Sequence, residues 1–355
     1  MTLLSDFSFE LPSELIAQEP SPDRGQSRLL WLDRRSGELR DRQFSELPSL
    51  LQRGDLLVVN DTRVFPARLL GRRLPGGGVA ECLLVRRLTA ASRVVESEEW
   101  EALVHPGQRL KEGSRLEFGS STCALHAEVL QKRFHGRRTV RLWTDSGTVA
   151  EVIEALGHTP LPPYIKREDT AQDRERYQTV FARERGSIAA PTAGLHFTQP
   201  LLDELDAQGI ERTAITLHVG YGTFQPIRVQ QVEDHQMAEE HYEVSPGAAE
   251  AITRALSSGR RVIAVGTTTT RTLESLSLTA TGGVEPGRGA TSLFIHPGHC
   301  FRVVSGLVTN FHLPQSSLLL LVSAFAGRDS VLAGYRHAIE HRYRFYSYGD
   351  AMLLL

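Results

Sequence analysis

The feature that most constrains this chain is a change of pattern along it, followed by a change back. From about residue 187 onward, short apolar runs alternate with amphipathic stretches. Ser187–Ala190, Thr213–Val219, Arg261–Val265 and Arg302–Phe311 are predicted as strands. Pro200–Gln208, Pro246–Ser257, the stretch after Gly266, Ser316–Ala326 and Ser330–His341 are predicted as helices, the last capped by Asp329. Alternation of this kind buries its apolar faces only in a layered α/β arrangement.

The stretch from about Val64 to Asp145 has a different rhythm. Val79–Val85, Trp100–Val104, Leu116–Phe118, Cys123–Leu130 and Thr139–Trp143 are short and extended, with Gly and Pro between many of them. Cys123, Leu125, Ala127 and Val129 alternate with His126 and Glu128, the spacing of a small antiparallel barrel. Thr148 and Glu151 then form a capping box for a helix to Leu156, with Gly157 expected in the left-handed position and Pro160, Pro162 and Pro163 preventing continuation. About sixty N-terminal residues, with a strand at Arg28–Asp33, a helical stretch at Phe44–Leu51 and a buried run at Leu56–Val59, are too few for a core of their own and must join the later sheet. The expected fold is therefore a layered α/β main domain, residues 1–63 and 148–355, with an inserted small antiparallel β-barrel domain, residues 64–147.

Composition narrows the function. The 355 residues are 41% hydrophobic and 23% charged, with a formal charge of -2, which excludes a basic nucleic-acid coat. Of 40 basic residues only Lys111, Lys132 and Lys166 are lysine, leaving 37 arginines. Arginine suits phosphate and base contacts, although GC-rich coding favours it too. Cys82, Cys123 and Cys300 form no CxxC pair, so neither a zinc knuckle nor a disulfide framework is expected. The first residues carry acids and no long apolar run, and the longest apolar stretch, Leu318–Phe325, is too short to span a bilayer. A cytoplasmic location is the expectation.

Several segments can carry chemistry. Ala189 to Phe197 reads AAPTAGLHF, a tight loop whose small residues admit a ligand to the backbone and whose His196 can act as acid or base; the same residues also suit a capped turn. In Leu217 to Pro226, Gly220 and Gly222 flank Tyr221, with Phe224 nearby to stack on a base or to fill the core. Val262 to Arg271 runs a buried strand into Gly266 and four threonines, a cradle for a polar nucleoside or carboxylate, or simply a helix cap. It lacks the Gly-Lys-Thr/Ser ending of an ATP-hydrolysing loop. Asn310 and His312 stand at a strand exit, and His235 lies among acids in Asp234 to Glu240. The tail, Tyr335 to Asp350, interleaves Arg with aromatic residues, suiting either RNA or a strand with Phe345 inward. His196, His218, His235 and His312 also allow a metal-dependent hydrolase, although no HxH or HExxH pair is present. A noncatalytic RNA-binding protein is a further alternative.

Taken in order, these segments resemble the S-adenosylmethionine:tRNA ribosyltransferase-isomerase family nearly end to end. The resemblance includes DFSFELP from Asp6, GDLLVVNDTRV from Gly54, LPPYI from Leu161, TNFHLP from Thr309 and RFYSYGDAM from Arg344. It implies transfer and isomerisation of the ribosyl part of S-adenosylmethionine onto 7-aminomethyl-7-deazaguanine at the wobble position of tRNA. Epoxyqueuosine-tRNA would form, with release of adenine and methionine. It implies no prosthetic group and no metal, S-adenosylmethionine as co-substrate, and a monomer. His196, His218 and His312 are then the acid–base candidates. Thr192, Gly194, Gly220, Gly222, Thr267, Thr268, Thr269, Thr270 and Asn310 are candidates for holding S-adenosylmethionine. Arg63, Tyr221, Phe224, Arg336, Arg342, Arg344 and Tyr346 are candidates for RNA. The family often reads His-x-Met-His-x-Glu where this chain has His235-Gln236-Met237-Ala238-Glu239-Glu240. His235 and Glu240 match, Ala238 cannot supply an acid or base, and the role of the pair is open.

Overall fold

The computed structural model describes residues 2–88, 97–120, 123–133, 136–220, 222 and 226–355. They form a mixed α/β layer structure with a closed barrel set into it. The main sheet has nine strands in the order Gly287–Thr291, Glu240–Val244, Glu211–Leu217, Leu56–Asn60, Val262–Val265, Gly306–Asn310, Ala351–Leu354, Arg28–Leu32 and Leu39–Gln43. The four strands from Glu211–Leu217 to Gly306–Asn310 are mutually parallel; Ala351–Leu354 runs antiparallel to them.

The central strands are buried on both faces, and their period of two divides them between two cores. Leu56, Val58, Val262, Ala264 and Leu307 point into one apolar cluster with the helices Pro246–Ser257 and Ser317–Ala326. Leu57, Val59, Ile263, Val265 and Val308 point into the other, covered by Gln199–Ala207.

Six strands between Arg68 and Thr144 close into an antiparallel barrel. Ala80, Cys82 and Leu84 face inward from Val79–Arg87, as do Leu125, Ala127 and Val129 from Cys123–Lys132. The helix Val149–Leu156 stoppers this core with Val149, Val152 and Ile153. Its capping box of Thr148 and Glu151 is present. A cap contributes about 1 kcal/mol, whereas each buried aliphatic side chain is worth roughly 1.5–3 kcal/mol, so packing holds the helix and the cap sets where it starts.

Several expectations are corrected. Gly157 is extended, not left-handed; it is required because a Cβ there would lie 2.0 Å from the Pro66 carbonyl oxygen. The predicted strand Ser187–Ala190 is shifted to Glu184–Ser187, which pairs with Thr62–Val64, and the residues after it turn into the site. The last helix is Arg328–Glu340 with Gly327 before it, so Asp329 lies in the first turn and is not its cap. The edge strand Gly287–Thr291 has no apolar run to announce it in the sequence. The tail before Ala351 is a buried turn and not a strand, although Phe345 does face inward: it packs on Phe311 and Tyr335, and Tyr346 has φ +72°.

Candidate functional site at the ends of the parallel strands

The four parallel strands end on one edge of the sheet, where open α/β folds gather ligands. Asn60 pins two of these ends: its side chain donates to the Leu217 carbonyl and accepts from the Leu217 and Thr62 amides. The chain beyond each strand supplies the site: Thr62, His218 to Gly220, Gly266 to Thr268, and Asn310 to His312.

A cavity of about 390 Å³ opens there. Its walls are mostly apolar, from Ala189, Pro191, Val219, Leu313 and Leu318, and include Tyr164 and Tyr346, stacked at 4.5 Å and 22°. Polar groups converge on it: Thr192, Thr267, Thr268, Asn310 and His312. Thr268 Oγ1 and the Tyr346 hydroxyl are buried without a protein partner, which marks them for a ligand. The helix Thr267–Ser275 starts at this wall with no side-chain cap, so its first amides are directed at the same space.

The threonine run splits in two. Thr267 and Thr268 line the cavity, while Thr269 and Thr270 are fully buried and return their hydroxyls to the carbonyls of Val265 and Gly266. Gly194 does not line the cavity; a Cβ there would meet Phe181 and Thr179 at 2.7 Å, so its smallness serves packing.

The three candidate histidines are placed differently. His312 lines the cavity, its Nε2 2.8 Å from Thr309 Oγ1, and burial pushes its pKa down to about 3. It is a neutral imidazole at physiological pH. His196 lies behind the cavity wall, between Ser27 and Asn310, with a pKa lowered to about 4 by burial and then by the Arg344 charge. His218 faces a second space. Its Nδ1 is 2.8 Å from Thr62 Oγ1, and burial lowers its pKa against the opposing pull of Asp61 and Glu184.

That second space is a cleft of about 830 Å³ between the barrel and the sheet edge. The barrel contributes Arg86, Arg87, Trp100, Arg133 and Arg137, and the sheet side Arg185, His218, Gly220, Gly222 and Glu240. Val219 lines both spaces. Glu240 accepts the Gly220 amide at 3.0 Å and forms a buried ion pair with Arg271, which fixes the glycine turn. Gly222 lies against Ala238, 2.9 Å from where its own Cβ would be.

The other expected residues fall elsewhere. His235 packs edge-on against Phe294 and lines neither space. Arg63, Arg336 and Arg342 are exposed and also line neither; Arg344 is half-buried and donates to the Glu19 carbonyl. Tyr221 and Phe224 lie outside the described residues. Sequence reasoning did not single out Tyr164, Val219 or the barrel arginines as site residues. Tyr164 had a signal, its place after three prolines; the arginines had none, because only barrel closure turns them toward His218.

Among the described residues, one group gathers possible metal ligands: Asp41, His337 and His341. It contains none of the four histidines on which the hydrolase alternative rested. Asp41 already accepts from Tyr343 Oη and lies 3.0 Å from His337 Nε2.

Residues 4–354 match the model of a family described as queuosine biosynthesis protein. The chain is 51% identical over 352 residues to the S-adenosylmethionine:tRNA ribosyltransferase-isomerase of Desulfitobacterium hafniense, and 49% over 351 residues to that of Caldanaerobacter subterraneus. Each alignment covers 99% of both chains. The solved S-adenosylmethionine tRNA ribosyltransferase of Thermotoga maritima is 35% identical, with a TM-score of 0.54 over 99% of this chain and 100% of that one. Neither the hydrolase nor the noncatalytic alternative finds support. With 99% of its length aligned to these enzymes, the chain belongs to the S-adenosylmethionine:tRNA ribosyltransferase-isomerase family of queuosine biosynthesis proteins.

Proposed function

We propose that this chain transfers and isomerises the ribosyl part of S-adenosylmethionine onto 7-aminomethyl-7-deazaguanine in tRNA, yielding epoxyqueuosine-tRNA, adenine and methionine. The observation that carries the reading is the sharing of Val219 by a mostly apolar cavity and an arginine-lined cleft. A small co-substrate and a nucleic-acid base need such adjoining but unlike spaces. The cavity suits S-adenosylmethionine: stacked tyrosines for the adenine, hydroxyls and helix amides for its polar groups, and apolar walls that exclude water. The cleft suits the anticodon, with arginines for phosphates and Trp100 for stacking.

The chemistry asks for a base beside the sulfonium-activated ribose carbon and a donor toward the departing adenine. The RNA amine must also be uncharged when it attacks. His312, neutral in the cavity wall, is proposed to serve the first two demands, and His218, on the cleft side of Val219, the third. The chain is proposed to act as a cytoplasmic monomer; no single helix among the described residues is long and apolar enough to cross a membrane.

The test is incubation with S-adenosylmethionine and tRNA carrying the aminomethyl base. Stoichiometric adenine and methionine are expected, lost with His312→Ala or His218→Ala. Folded protein that releases no adenine would overturn the proposal. RNA affinity is expected to fall steeply with salt.

A further inference from the structure

The scheme above leaves His196 unused. His196 is 4% exposed, does not line the cavity and borders only a space of about 20 Å³, and its ring is tilted at 32° against Phe44 with centroids 5.0 Å apart, so it cannot reach a substrate. Its two nitrogens nevertheless have defined partners. Nδ1 lies 2.8 Å from Ser27 Oγ, and Nε2 lies 3.0 Å from Asn310 Nδ2.

The orientation of the Asn310 amide decides the tautomer. Its Nδ2 is also 3.4 Å from the Asp350 carbonyl, and a carbonyl only accepts, so the amide NH₂ must stand on that side. The same NH₂ faces His196 Nε2, which must therefore hold the lone pair, with the ring proton on Nδ1 and donated to Ser27 Oγ. The Asn310 Oδ1 is then turned toward Thr192, whose hydroxyl donates to it at 2.9 Å. Having given up its proton, the Thr192 oxygen can offer only lone pairs to the cavity that it lines.

We propose that His196 is a positioning residue: its Nε2 lone pair locks the Asn310 amide, and through it makes Thr192 a hydrogen-bond acceptor that selects a ligand hydroxyl or amino group at that wall. Resting on the S-adenosylmethionine reading of the cavity, this assigns Thr192 to a ribose hydroxyl or the adenine amine of the co-substrate. A ring proton shuttled by His196 would break the chain of bonds, so the arrangement excludes it as the acid or base.

The test compares His196→Leu with His196→Gln, since glutamine keeps one acceptor and one donor at similar reach. Thermal unfolding checks the fold of each. His196→Leu is expected to raise KM for S-adenosylmethionine about tenfold, the equivalent of one lost hydrogen bond, with a smaller fall in kcat. His196→Gln is expected to recover most of that loss, and the pH–rate profile is expected to keep its shape in both. Folded glutamine and leucine variants that are equally inactive would overturn the proposal, because glutamine cannot transfer a proton as histidine does. So would an unchanged KM in the leucine variant. Nitrogen NMR of the wild-type imidazole gives an independent reading: the Nδ1–H tautomer is expected, and Nε2–H would refute the lock without any variant. Failure of wild-type protein to consume S-adenosylmethionine would instead overturn the functional reading.

Discussion

Gly186 lies flat against the His218 imidazole, and replacing it tests whether the position of that ring matters to the reaction. A Cβ added to Gly186 would fall 2.7 Å from Cε1 and 2.8 Å from both ring nitrogens. Ordinary contact begins near 3.4 Å, so the ring must retreat by roughly 0.7 Å. It cannot retreat and keep its 2.8 Å contact with Thr62 Oγ1. Overpacking of this size costs about 1–3 kcal/mol of stability. A catalytic group displaced by nearly 1 Å can cost about a hundredfold in rate. Gly186→Ala should therefore fold, with a lowered Tm, and join the ribosyl part to tRNA roughly 30- to 100-fold more slowly at saturating S-adenosylmethionine. The assay is single-turnover formation of the ribosylated tRNA alongside thermal unfolding. A variant with a reduced Tm but wild-type rate would refute the claim that His218 acts from its present position.

Other consequences follow from burial. Arg271 and Glu240 side chains are each 4% exposed, so Arg271→Met should cost about 3–5 kcal/mol in urea unfolding by stranding the carboxylate, and adding Glu240→Gln should restore part of it. Thr268→Val should leave stability intact while raising KM for S-adenosylmethionine several-fold. Thr269→Val should cost about 1 kcal/mol without touching KM, because its hydroxyl serves the Val265 carbonyl. Equal effects from the two threonines would contradict the division of the run. The buried histidines make stability depend on pH. Both folded pKa values, about 3 for His312 and about 4 for His196, lie below the ordinary value, so the unfolded chain takes up protons first as pH falls. Their contribution is complete above about pH 6.5 and is lost toward pH 3 to 4, with up to about 2 kcal/mol per imidazole gone by pH 5. Urea unfolding across pH 5 to 7 should show this slope, and His312→Gln should flatten it; an unaltered slope would refute the assignment.

How much the sequence revealed depended on how local the determining physics was. The capping box at Thr148 and the helix that starts at Pro246 are decided within a few residues, and both were legible. The barrel face of Leu125, Ala127 and Val129 was legible through its period of two. The polar strands Leu39–Gln43 and Glu240–Val244 gave no apolar run to read; they exist because a neighbouring strand offers a ladder. In the site, the loops were identifiable but the tasks of their residues were not. His196 sits four residues from Thr192, yet its partners Ser27 and Asn310 lie 169 and 114 positions away. Four identical threonines acquired two functions only from the helix phase. Arginine and aromatic residues interleaved in the tail suggested nucleic acid, but Phe345 and Tyr343 were claimed by the core.

The order of the main sheet bears on how the chain is made. Leu56–Asn60 is the fourth of its nine strands, but both neighbours, Glu211–Leu217 and Val262–Val265, are encoded at least 150 residues later. At ribosomal speeds of about 5–20 residues per second, that strand waits on the order of ten seconds or more for a partner, while the barrel, complete by Thr144, can already close. Ala351–Leu354 joins Gly306–Asn310 on one side to Arg28–Leu32 on the other, so a strand translated long after the Arg28–Gln43 hairpin is the keystone that ties it to everything else. Loss of even those few residues would leave the earliest strands with no place to dock.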